Sequence, residues 1–68
     1  MIQDDKELAV TQSRIAYMLQ LLAQLRVTSR PEEFPLVASG YRAEVERMQR
    51  EELDYLTQHA LKTKAKAG

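Results

Sequence analysis

The side chains equipped for chemistry in this chain are few: His59, Glu52 seven residues before it, Tyr41 and Arg14. Helical spacing sets Glu52 and His59 two turns apart, on the stripe that also carries Tyr41 and Met48. A carboxylate and an imidazole so placed offer two uses: binding a cation, or changing charge near neutral pH through the histidine. One His and one Glu make a poor metal site, and the chain has no cysteine to complete it. The plainer reading is a wet rim where two helices part, or a bond from Glu52 to Tyr17, Arg14 or a second copy. There is no Gly-rich phosphate loop, no HExxH and no nucleophile elbow. An enzyme would need a site shared at a dimer seam, built from Glu52, His59 and Tyr41. The inventory supplies no nucleophile with its base and no cofactor cradle, so the expectation is a binding protein without cofactor or metal.

Arg14 is the single charge between Leu8 and Leu25, a window with twelve apolar members. If buried it needs a partner, because removing one member of a buried pair costs several kcal/mol. Glu44 or Glu51 is the intrachain choice and Glu52 the choice from a second subunit. Such a polar seam of Arg14, Glu44 and Glu52 can set helix register. The alternative is an Arg14 exposed at the rim.

The elements that position these residues are two helices. Helix 1 spans about 5–26. Asp4-Asp5-Lys6-Glu7 reads as a capping box, and Thr11 is a rival N-cap. Leu8, Thr11, Ile15, Met18, Leu22 and Leu25 keep a heptad spacing. At 100° per residue the apolar members sweep an arc of roughly 200°, where a surface helix needs roughly 100°. Val27-Thr28 and then Pro31 close the helix, and Pro31 pushes Arg30 out of the α region.

The loop is 27–34. Helix 2 spans about 35–61, with Pro35 at its first position. Its apolar stripe is narrow: Val37, Tyr41, Val45, Met48, Tyr55 and Leu56, beside Ala38. The opposite face is a ladder in which Arg42, Glu46, Arg50 and Asp54 follow at i,i+4, and Arg47 meets Glu51 at the same spacing. It reads as a solvated face, with a docking surface for a charged partner as the alternative. Gly40 lies inside this helix among Ala38, Ser39 and Ala43, which points either to a close approach of backbones, the preferred reading, or to an irregular start that straightens after Tyr41. Residues 62–68 form a basic tail whose Lys62, Lys64 and Lys66 suit a helix end or a phosphate.

Sixty-eight residues without cysteine cannot be stapled by disulfides, and a core this small rarely supplies more than a few kcal/mol. Oligomerisation is the remaining common staple. The fold expected is all-α: an antiparallel two-helix hairpin that dimerises into a four-helix bundle with helix 1 central. Its interface draws on Leu8, Ile15, Met18, Leu19, Leu22, Leu25, Tyr41, Val45, Met48 and Tyr55. Ten acidic and ten basic residues cancel, which favours a protein partner over nucleic acid. The acidic start, Met1-Ile2-Gln3-Asp4-Asp5, is unlike a secretory signal, and Ile15–Leu25 is too short to span a bilayer. A cytoplasmic protein without membrane contact is expected.

In Met1-Ile2, Thr11 opening the apolar run, Pro35-Leu36 and the Glu44, Glu51, Tyr55 rhythm, the chain resembles the helical-hairpin segment that precedes the helix-turn-helix in bacterial antitoxin-type regulators. The resemblance implies dimerisation and a second protein partner. No helix-turn-helix follows here, which puts direct operator binding in doubt. The alternative function is an RNA- or DNA-binding accessory bundle that uses the basic tail.

Overall fold

A computed structural model describes residues 1–58. They form two helices, α1 (Asp5–Thr28) and α2 (Phe34–Leu56), folded back on each other as a hairpin. Local chemistry explains each boundary. Asp4 is the N-cap of α1, and its carboxylate accepts from the Glu7 amide at 2.8 Å. Glu7 reaches back and takes the Gln3 amide, also at 2.8 Å. That is the reciprocal pattern of a capping box, moved one residue outward. Thr11 lies within the helix.

Helix α1 runs two residues past the expected end at 26. Thr28 returns its hydroxyl to the Gln24 carbonyl at 3.1 Å, and the Ser29 amide reaches Leu25 at 2.9 Å. The β-branched pair is thus absorbed into the last turn, and the chain leaves the helix only where Pro31 constrains Arg30. The turn is shorter than the expected 27–34 loop. The Arg30 carbonyl accepts from both Glu33 and Phe34, at 3.0 and 2.9 Å, so helical geometry is under way before Pro35. The proline then falls in the first turn, where its missing amide leaves no bond unmade.

Helix α2 ends at Leu56, well before the expected 61. Thr57 adopts φ −91° and ψ 2°. Its hydroxyl donates to the carbonyls of Leu53 and Asp54 at 2.8 and 3.3 Å, while the Gln58 amide drops back to Tyr55 at 3.2 Å. The last carbonyls are satisfied by a side chain and a tighter turn, so the helix closes there. Residues 59–68 lie outside the described range, and with them His59 and the three tail lysines.

The core is small. Ile15 of α1 meets Val45 and Met48 of α2, and Met18 packs against them. Among the described residues Ile2, ahead of the first helix, is the fourth buried side chain, and no large side chain is fully enclosed. No helix among the described residues is long and apolar enough to cross a membrane.

Candidate interaction surface

With the two helices in place, the residues expected at the interface divide. Ile15, Val45 and Met48 are consumed by the contact between α1 and α2. Leu8, Met18, Leu22, Leu25, Tyr41 and Tyr55 are half-buried along the seam. Leu19 alone of that set is open to solvent. Among the described residues the other exposed large apolar side chains are Met1 ahead of α1, Val10, Tyr17 and Val27 of α1, and Leu36, Val37, Leu53 and Leu56 of α2. Val37 and Leu56 belong to the expected stripe, yet they are 40% and 53% exposed. Leu53 lies inside the charged segment and was not signalled by the stripe. Its relation to the apolar residues appears only once the facing surface of α2 is known.

The exposed apolar residues of α1 fall on two flanks. Counting 100° per residue, Val10 and Tyr17 lie on one side of the Ile15–Met18 contact line, and Leu19 and Ala23 lie on the other. On the second flank, Leu19, Leu22 and Ala23 with Phe34, Ala38 and Val45 line a groove of about 670 Å³. Arg26, Arg42, Glu46 and Gln49 are its polar margin. On the first flank a shallower notch of about 240 Å³ runs between Met18, Val37, Gly40 and Tyr41. A β-carbon added at Gly40 would meet nothing within 4 Å. The close backbone approach expected there is absent within the hairpin, because Gly40 faces the flank and not α1.

The expected polar seam does not form within one chain. Arg14 is exposed and makes no ion pair or hydrogen bond among the described residues. Its intrachain candidates, Glu44 and Glu51, are engaged elsewhere, by Arg47 on their own helix and, for Glu51, by the Met1 ammonium at 3.8 Å. Arg47 donates from Nε to Glu44 at 2.6 Å and from Nη1 to Glu51 at 2.9 Å. The hydrogen bond and charge of Glu44, followed by those of Glu51, hold the Arg47 guanidinium above its ordinary pKa. Short i,i+3 and i,i+4 spans let one arginine reach both carboxylates without leaving the helix, so nothing draws them towards Arg14. Of the expected ladder, Arg42 meets Glu46 at 3.3 Å and Arg47 meets Glu51. The Glu44 contact is additional, and Arg50 pairs with neither Glu46 nor Asp54.

Glu52 is half-buried on the stripe that faces α1. Among the described residues one polar contact joins the two helices: Tyr55 donates to Asp5 at 2.7 Å. Among the described residues no group of three or more His, Cys, Asp or Glu is gathered in a way that could hold a metal ion. The surface therefore offers apolar flanks with charged margins. No protein-family model, curated protein or solved structure matches this chain.

Proposed function

We propose that this chain is a small interaction or regulatory protein that works as a homodimeric four-helix bundle in the cytoplasm. The observation that carries the reading is the mismatch, among the described residues, between a core of four buried side chains and the array of leucine, valine and tyrosine side chains left in water. A hairpin this thin gains little from its own core. Burying the open flanks supplies the missing apolar burial at about 25 cal/mol per Å². Two separate flanks on α1 leave room for two neighbours, a second copy on one and a different protein on the other, as the antitoxin-like resemblance implies. The role is binding and not catalysis: a single histidine and no cysteine leave little from which to assemble a reaction centre.

Sedimentation equilibrium at micromolar concentration tests the dimer, and a well-folded monomer there rejects it. Affinity capture from the native host, followed by mass spectrometry, tests the second partner. One stoichiometric protein that is lost from Tyr17→Glu supports the reading. Nuclease-sensitive material in its place supports the accessory nucleic-acid role.

A further inference from the structure

The groove-bearing flank changes character along its length. Near the turn it is concave and lined by small residues, Ala23 on α1 and Ala38 on α2. Towards the open end it protrudes. Leu53 follows the groove-lining Gln49 by four residues and Leu56 follows it by seven, spacings that return to one helix face. They are 59% and 53% exposed. On α1, Leu8 precedes Leu19 by eleven residues, three turns, and so extends the same flank.

We propose that a second copy of this chain covers this flank with its turn at the opposite end. In this packing α1 lies against α1 and α2 against α2. Leu8 and Leu53 of each copy then seat on Ala23 and Ala38 of the other. The proposal rests on the homodimer reading above and specifies its geometry. A single two-fold axis satisfies both helix pairs. The midpoint between Leu8 and Ala23 falls between Ile15 and Ala16, and the midpoint between Leu53 and Ala38 falls between Val45 and Glu46. Ile15 and Val45 pack together in the core, so both midpoints lie at one level of the hairpin, as one axis requires.

The same axis brings Asp5 of each copy opposite Arg26 of the other, so the charges at the ends are complementary. It also sets Leu56 over Pro35. Placing both turns at the same end would instead stack Leu8 on Leu53 and leave a void between Ala23 and Ala38, a loss on both counts. The flank is about 36 Å long and two helices wide, roughly 700 Å² per copy. That approaches the roughly 800 Å² per partner of a stable complex.

The absence of cysteine makes disulfide trapping a clean test. A38C and L53C are prepared separately, checked for helicity by circular dichroism, and oxidised alone and after mixing. The mixture should yield a cross-linked pair. Either variant alone should not, because identical positions lie about 22 Å apart along the bundle, far beyond the roughly 7 Å limit for bridged Cα atoms. A23C mixed with L8C reads the α1 pair independently, should either α2 variant fail to fold. Cross-linking of A23C with A38C overturns the packing. So does a sedimenting dimer that traps neither expected pair; both results leave the homodimer reading intact. A folded monomer overturns the packing and the reading together.

Discussion

The Tyr55 hydroxyl donates to the Asp5 carboxylate at 2.7 Å, joining the last turn of α2 to the first turn of α1 across fifty residues of sequence. The bond, the desolvation of the ring, and the charges of Asp5, Asp4 and Glu7 hold the phenol above its ordinary pKa. Because the folded value is raised, the contribution is complete below the unfolded value near 10 and fades as pH rises through the folded one. The wild type should therefore melt above Tyr55→Phe at neutral pH, with the margin closing in alkaline buffer. Thermal melts of both proteins from pH 7 to 11 check this, and a margin independent of pH contradicts it.

Core and flank should separate by concentration. Ile15→Ala removes a buried side chain and should cost about 2–3 kcal/mol at any protein concentration. Leu53→Ala should leave the dilute chain nearly unchanged and weaken association when concentrated. Urea unfolding at two concentrations, a hundredfold apart, distinguishes them.

Gly40→Ala should raise stability by about 0.5–1 kcal/mol. Alanine lowers the entropy cost of the helix, and the added methyl meets open space. A lower urea midpoint would mean that another chain approaches closely at this position.

Asp4→Ala removes the acceptor of the Glu7 amide and should cost about 1 kcal/mol. The loss of helicity should be concentrated in the first turn, read by hydrogen exchange at Glu7 and Leu8.

Arg14→Ala should change stability by less than about 0.5 kcal/mol, and a double-mutant cycle with Glu44 should show coupling near zero. A large coupling to Glu52 that appears only in the dimer would place Arg14 at a subunit seam.

What the sequence disclosed was local. The capping box around Asp4 and Glu7, the break at Pro31 and the restart at Pro35 depend on neighbours within a few residues, and they stand in the structure with small shifts. The all-α hairpin follows from them. Less legible was whatever needed the relative rotation of the two helices. Val37 and Leu56 match the period of a buried stripe, yet they are exposed to solvent. Leu53, hidden among charges, joins the apolar flank. Ile2 precedes any periodic segment, so no pattern marked it for burial. Arg47 shows a second kind of ambiguity: Glu51 at i+4 was legible as its partner and also as a candidate for Arg14, while Glu44 at i−3, which Arg47 takes as well, reads from the sequence as a partner of Arg14 alone. The end of α2 was missed because Thr57 acts through its hydroxyl, whose effect on the last carbonyls is not a matter of period.

The turn has a consequence for how copies of the chain meet. Its Arg30 carbonyl is held by two amides, and Pro31 keeps that residue out of helical geometry. The chain therefore resists straightening into one continuous rod, which is the conformation through which hairpins trade helices and tangle into open chains. A dimer of the kind proposed would therefore be built by docking two closed hairpins, each keeping its own pair of helices, and not by exchanging a helix between copies.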